Sequence, residues 1–287
     1  MAGGVSCAVG LPTVGQFGDP TELVGLAVAA ERAGWDGAFF WDHLLYEQPG
    51  WPVANSTVVV AAAVASTSRI RLGVLINTVA RRRPALLAAE AATLDVLSGG
   101  RMVFGAGLGS LPEEWTLLGE DGDPRVRADR LDEGLAVIDA LWSGGVVRHR
   151  GEHLTVDAVR MPLRPVQRPR IPVWIGGSWP ARRPFRRAAR WDGVMPTHRR
   201  YGLGETMPPA VLAEIVDYVA GQRDPAAGRF DVALEGRTAP GERGAEVVAP
   251  YAAAGLTWWI EAFGWWRGDH AATRARIAAG PPRVDEP

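Results

Sequence analysis

The feature that most constrains this chain is a repeated alternation of short, β-rich apolar runs with longer stretches of helical periodicity. The first apolar run, residues 5–11, ends at Pro12. Asp19-Pro20-Thr21-Glu22 then has the form of a helix start: a capping Asp, a Pro in the first turn and a Glu three residues after the cap. Leu23, Leu26, Ala27, Ala30 and Ala33 follow at helical spacing, and Gly34 supplies the stop. The same rhythm predicts further strands at 38–41, 70–76, 101–106, 173–175, 192–195, 230–234 and 256–261. Between them it predicts helices over 55–66 and 84–98, and one bearing the stripe Leu131, Leu135, Ile138 and Trp142. An Arg-rich helix to about Arg190 follows, then one with Val211, Leu212, Ile215, Val216 and Val219 on one face, then 242–253 and 271–279. Eight strands, each followed by a helix, are the number that closes a parallel (β/α)8 TIM barrel.

The rhythm breaks once. Residues 144–172 are rich in Gly, Pro and Arg and read as an insertion between the fourth helix and the fifth strand, a hairpin at 149–156 and then a loop at 161–172. Ala33-Gly34-Trp35-Asp36-Gly37 is echoed by Ala189-Arg190-Trp191-Asp192-Gly193, each where a helix gives way to a strand. An open doubly wound sheet is the alternative, but Leu11-Pro12-Thr13-Val14-Gly15 is not the Gly-rich fingerprint such a sheet usually carries after its first strand. One barrel domain over residues 1–287 is the expectation, with 47% hydrophobic residues to fill its core.

The net charge of -1 gives no sign of a nucleic acid or membrane partner. All 31 basic residues are arginine, so Schiff-base chemistry on a lysine is excluded. Cys7 is the only cysteine, which rules out an intrachain disulfide and fits a reducing compartment. Met1-Ala2-Gly3-Gly4 lacks the basic start of a signal peptide, and the longest apolar run, 58–65, is far short of the ~20 residues of a spanning helix. A cytoplasmic protein is expected. Paired cysteines, HExxH, GxSxG and GxxxxGK[ST] are all lacking, so neither a metal site, a serine hydrolase nor a P-loop enzyme is expected.

In such barrels the working side chains lie at the carboxyl ends of strands and in the loops that follow. That rule selects Trp41, Asp42, His43, Asn77, Thr78, residues 107–110, Gly176, Gly177, Ser178 and residues 196–198. His43 directly follows the second strand, where an imidazole either serves a cofactor and moves a proton or bonds backbone at a loop start. Asp42 has the same two readings, since Asp often opens loops by accepting from nearby amides. Gly176-Gly177-Ser178 is either a phosphate cradle or a tight turn with a capping Ser. Gly105-Ala106-Gly107-Leu108-Gly109 leaves room for a flat ring or for a neighbouring loop. Arg81-Arg82-Arg83 suits an anionic tail or plain solvent. Of the 12 tryptophans, Trp41, Trp51, Trp115 and Trp179 fall near mouth loops and can wall an apolar pocket.

Several of these segments carry a resemblance. Ala30-Glu31-Arg32-Ala33-Gly34-Trp35-Asp36 leads to Trp41-Asp42-His43, and Leu72-Gly73-Val74-Leu75 precedes Arg83-Pro84. Thr93-Leu94-Asp95-Val96-Leu97-Ser98-Gly99-Gly100-Arg101 leads to the strand-four glycines, and Pro172-Val173-Trp174-Ile175-Gly176-Gly177 to Arg190-Trp191-Asp192-Gly193. With these motifs the chain resembles, over nearly its whole length, the luciferase-like monooxygenase family of flavin- and deazaflavin-dependent barrel oxidoreductases. The resemblance implies an enzyme that holds coenzyme F-420 or FMN across the barrel mouth, acts on a small molecule and forms a homodimer. It implies that His43 and Asp42 approach the ring or substrate, with Trp41 beside them. It implies that Leu75, Ile76 and Asn77 line the ring, where relatives often carry a non-proline cis peptide. Gly107, Leu108 and Gly109 would flank the ring, and Gly176, Gly177 and Ser178 would take the phosphate. The chain departs from the pattern at Ser110, where some deazaflavin-dependent relatives carry an acid, and at Asn77, where Thr is common.

Coenzyme F-420 would imply reduction or dehydrogenation, whereas FMN would also allow monooxygenation; the arginine triplet suits a polyglutamate tail and leans toward the deazaflavin. A cofactor-binding barrel without turnover is the second hypothesis, because fold does not guarantee activity. A hydrolase or aldolase is a third, for which the paired carboxylates or lysine are missing. The loops at 44–54, 110–127, 143–171 and 196–208 are expected to shape the substrate pocket.

Overall fold

Eight parallel strands pair in a closed ring, and the order of that ring explains where the site lies. The computed structural model describes residues 4–238 and 243–283. The barrel strands are β1 (Ser6–Leu11), β2 (Gly37–Phe40), β3 (Arg71–Thr78), β4 (Met102–Gly107), β7 (Val173–Trp179), β8 (Gly193–His198), β9 (Asp231–Gly236) and β10 (Trp258–Ala262). Around the ring the order is β1-β10-β9-β8-β7-β4-β3-β2. The helices are α1 (Pro20–Arg32), α2 (Ser56–Ser66), α3 (Pro84–Ser98), α4 (Glu113–Thr116), α5 (Pro124–Trp142), α6 (Arg182–Ala188), α7 (Pro209–Ala220), α8 (Gly244–Ala253) and α9 (His270–Ala278). The one break in the ring's sequence order, β4 beside β7, is where the insertion leaves: β5 (Val146–Arg150) and β6 (Thr155–Arg160) form a separate antiparallel hairpin. Its turn is pinned by Glu133 on α5, which accepts from the Glu152 and Leu154 amides at 2.8 Å each.

Local chemistry accounts for the boundaries. Asp19 caps α1, its side chain accepting from Thr21 N at 2.8 Å. Asn55 caps α2 through Val58 N at 3.1 Å. α3 stops at Gly99, which takes the left-handed conformation at φ 66°. The strands are buried on both faces, as a barrel sheathed by helices requires. Ala8, Phe39, Leu75, Val103, Trp174, Met195, Ala233, Trp258 and Ile260 fill the barrel interior as one apolar cluster, with Phe39 and Trp174 rings 5.5 Å apart. This interior is a packed core, and two cavities open at its two ends.

Three differences from the sequence reading bear on function. β7 runs four residues past Ile175, and β8 three past Met195, because their ladder continues from Gly176 opposite Met195 to Trp179 opposite His198. Gly176, Gly177, Ser178 and residues 196–198 are therefore strand, where a turn and a loop were expected. The hairpin is wider than the predicted 149–156, and α4 is an unpredicted single turn. The expected residues Met1, Ala2 and Gly3, and Glu242 at the predicted start of α8, lie outside the described residues. No helix among the described residues is long and apolar enough to cross a membrane.

Candidate active site

The carboxyl end of β2 delivers Trp41, Asp42 and His43 to the barrel mouth, where they turn in different directions. Asp42 faces its neighbours in the wall: one carboxylate oxygen accepts from Ser56 Oγ at 2.9 Å and the other from Thr78 N at 3.1 Å. Both oxygens are thus committed to joining the β2 loop, the start of α2 and the end of β3. His43 has Nδ1 3.3 Å from Glu114 Oε1. Glu114 is wholly buried on α4, accepts from the Leu44 and Leu45 amides, and has its other oxygen 3.1 Å from Arg81. Burial alone would raise the Glu114 pKa. The neighbouring His43 imidazole, the Leu44 amide and the Arg81 charge outweigh it and hold the carboxyl down at about 2. A permanent carboxylate beside Nδ1 favours the tautomer with its proton there and leaves Nε2 as the ring nitrogen free for other chemistry.

Next to this network, β3 ends in a non-proline cis peptide, Leu75-Ile76, at the position the family resemblance implied. Leu75 belongs to the barrel interior, while Ile76 is half-buried at the rim. A Cβ on Gly107 would stand 1.9 Å from Ile76 Cδ1, and one on Gly176 would stand 3.0 Å from Ile76 Cγ2. The two glycines thus make room for Ile76, which forms the platform above them. Gly177 is bare for a different reason, since its missing Cβ is replaced by Pro184 at 2.5 Å. Gly176, Gly177 and Ser178 stay half-buried as a strand edge at the mouth. Ser178 is not a helix cap; Ala181 holds that place in front of α6.

Asn77 is a correction. The register of β3 shifts between Val74 and Asn77, and the Asn77 side chain points to the helix layer, donating to Gly105 O at 2.9 Å beside Thr57, Leu87 and Glu90. It is not among the groups at the mouth. Leu108 and Gly109 form a backbone shelf whose carbonyls accept from Arg127, with Gly109 at φ +76° against Thr78. Arg127 in turn lies 4.3 Å over the Trp115 ring.

The opposite side of the mouth is open. A cavity of about 370 Å³ lies between the ends of β8, β9 and β10 and the loop at 199–207, walled by Trp266 and Glu235. Trp266 stacks on Trp41 with ring centroids 5.9 Å apart and planes at 19°, and Trp41 meets the His43 ring edge-on at 5.9 Å. Tyr46, Trp51 and Trp265 extend this aromatic wall. Trp41 Nε1 donates to Glu235 Oε1 at 3.3 Å. Burial raises the Glu235 pKa and Trp41 only partly opposes it, so this carboxyl is biased toward its neutral, proton-donating form.

The arginine triplet is not a steering patch. Arg81 is buried in the Glu114 network, Arg82 pairs with Glu90 at 2.6 Å, and Arg83 precedes α3 at its capping position. Exposed arginines do reach the cavity rim, but they are Arg199 and Arg237. Trp115 is fully buried, and Trp179 packs against Phe185 and Tyr218. Of the four tryptophans expected as walls, only Trp41 and Trp51 stand in the mouth. Glu114, Glu235, Trp265 and Trp266 were missed. Pro112-Glu113-Glu114 is the one local signal, a proline opening a single helical turn after the strand-four glycines.

This closed eight-stranded barrel is a fold shared with solved F-420- and FMN-dependent oxidoreductases. The profile of the luciferase-like monooxygenases matches residues 1–283, and the chain belongs to that family. It is 36% identical over 168 residues to the F-420-dependent glucose-6-phosphate dehydrogenase of Microbacterium testaceum, a match covering 58% of this chain and 49% of that protein. A Mycobacterium tuberculosis protein of no described function is 31% identical over 194 residues, 62% of this chain and 65% of that protein. The chain thus spans about half the length of the dehydrogenase it matches. An F-420-dependent secondary alcohol dehydrogenase solved with an F-420-acetone adduct superposes with a TM-score of 0.75 at 17% identity, covering 91% of this chain and 93% of that one. The F-420-dependent tetrahydromethanopterin reductase of Methanopyrus kandleri gives 0.71 at 19% identity, covering 97% and 99%. The FMN-bound 3,6-diketocamphane monooxygenase constituent of Pseudomonas putida gives 0.67 at 16%, covering 82% and 67%.

Proposed function

We propose that this chain is an oxidoreductase that binds coenzyme F-420 or FMN at the barrel mouth and acts on a small organic molecule in the adjoining cavity. The observation that carries this reading is the convergence of His43, Ile76 and the 176–178 strand edge at one end of the barrel, beside a cavity of about 370 Å³. These residues fit a planar ring with an anionic tail. Ile76 offers an apolar surface, the 176–178 edge offers backbone without bulky side chains, and Arg199 and Arg237 stand at the cavity rim. The 36% identity to an F-420-dependent dehydrogenase favours the deazaflavin.

A bound deazaflavin would supply hydride exchange, and FMN would supply that or oxygen chemistry. The chain's own groups do the rest. Glu114 and Arg81 fix the His43 ring, so that Nε2 accepts or donates a proton at the mouth without reorganising. Glu235, whose pKa burial raises, offers a hydrogen bond or a proton to a polar substrate atom. The stacked Trp41 and Trp266 exclude water from that side of the cavity. Asp42 acts as a positioning residue through its bonds to Ser56 and Thr78.

Side-by-side absorbance titration with FMN and coenzyme F-420 tests the proposal. One of them is expected to bind saturably and to change redox state when a panel of alcohols, sugar phosphates and carbonyl compounds is added. Binding of neither, or a bound cofactor inert to every donor and acceptor, overturns it.

A further inference from the structure

We propose that the amino-terminal end of the barrel, opposite His43, is a second ligand site that takes a small oxyanion, phosphate or the carboxylate of an organic acid. A cavity of about 380 Å³ opens there, lined by the first residues of the strands. Its cations are Arg71, which begins β3, with Arg69 just before it and Arg229 just before β9.

Arg71 sets the argument. It is half-buried, yet it forms no salt bridge among the described residues, and its guanidinium reaches only the Gln167 amide oxygen at 3.3 and 3.5 Å. Burial disfavours its charge, and Asp231 offsets that only in part. The two carboxylates lining the cavity are already engaged. Asp36 accepts from Cys7 N at 2.9 Å and pairs with Arg283 at 3.2 Å, while Asp231 pairs with Arg229 at 3.0 Å and accepts from Thr257 Oγ1 at 3.1 Å. Arg69 and Arg71 are left without a carboxylate partner among the described residues, at the edge of this cavity.

The second observation is independent of charge. Trp174 and Trp258 form the inner lining of the same cavity, both nearly inaccessible, and neither buried indole N–H has an acceptor among the described residues. Buried donors are almost always satisfied, and an unsatisfied one is costly. Water would answer the two N–H groups but leave the arginine without a counter-ion. An oxyanion answers both, because a guanidinium and N–H donors are the groups that recognise planar or tetrahedral oxygen clusters. The site stands apart from the cofactor reading and survives if that reading fails.

Isothermal titration of the full chain with inorganic phosphate and with citrate, at an ionic strength fixed with chloride, tests this. Saturable binding of at least one of the two is expected. Arg71→Gln should weaken it by about tenfold or more. Trp258→Phe keeps the ring in the core but removes the N–H, and should weaken binding severalfold, which keeps the test open if Arg71→Gln misfolds. Arg186→Gln, exposed on α6 and outside both cavities, should leave it unchanged. Heat no greater than that of chloride alone, wild-type affinity in both bottom-face variants, or loss of binding in Arg186→Gln would overturn the assignment.

Discussion

Two carboxylates stand at the same barrel mouth and are driven in opposite directions. Glu114, under β2 and β3, is buried but ringed by His43, the Leu44 and Leu45 amides and Arg81, and its pKa falls to about 2. Glu235, half-buried at the end of β9, has one indole N–H as its hydrogen-bond partner among the described residues, and its pKa rises. Burial penalises charge in both, so what separates them is the number of donors that surround each group. The β2–β4 side is a preset charge network that orients one imidazole, and the β8–β10 side is an open, aromatic-walled space with an acid whose pKa is raised. A site that moves protons around a bound ring and still admits a substrate needs both kinds of wall.

The contrast can be broken most sharply at His43. His43→Ala is expected to lower turnover by about 10²–10⁴-fold while cofactor affinity changes only a few-fold, as read by steady-state kinetics and absorbance titration. Unchanged turnover would remove His43 from the reaction. Glu114→Gln should come next, because it leaves Arg81 buried beside a neutral amide. Urea melts are expected to show a loss of roughly 3 kcal/mol at neutral pH. The pH sign follows from a depressed carboxyl: the stability it contributes is present above the ordinary value of 4.5 and fades as pH falls toward about 2. The wild-type chain should therefore lose roughly 2–3 kcal/mol across that window, and Glu114→Gln should lack this component.

Glu235→Gln probes the other wall and should act more weakly on stability, with the opposite sign. A carboxyl whose folded pKa is raised contributes stability below its ordinary value and loses it as pH rises through the folded one. The variant should therefore lack a decline that the wild type shows as pH rises above the ordinary carboxyl value of 4.5, and kcat/KM should fall by about tenfold. An identical pH–stability profile for variant and wild type would mean that the Glu235 pKa is not raised. Gly107→Ala is the smallest change. It pushes a Cβ to 1.9 Å from Ile76 Cδ1, so Ile76 must move. About 1–3 kcal/mol of destabilisation is expected, with weakened cofactor binding if Ile76 is the platform for the ring.

The barrel was legible because its information is local. Residues 5–11 and 101–106 read as strands from their apolar runs, and Asp19 and Asn55 announced helix starts that the structure places beside them. The position of His43 followed from the strand count. Asn77 did not follow, because the irregularity between Val74 and Asn77 breaks the two-residue alternation that sequence reasoning relies on. Gly176 and Gly177 read as a turn because glycines usually end strands. Here they make room for Ile76 and Pro184, neighbours that lie apart in sequence. Glu114 and Glu235 were hidden for the same reason: what makes each of them special is a partner some 70 to 194 residues away.

The most direct test of this account is a crystal structure of the chain grown with coenzyme F-420 or FMN. The ring is expected against Ile76 and within reach of His43, with its phosphate at residues 176–178 and its tail toward Arg199 and Arg237. A ring bound away from Ile76, or held at the end of the barrel where Trp174 and Trp258 lie, would contradict it.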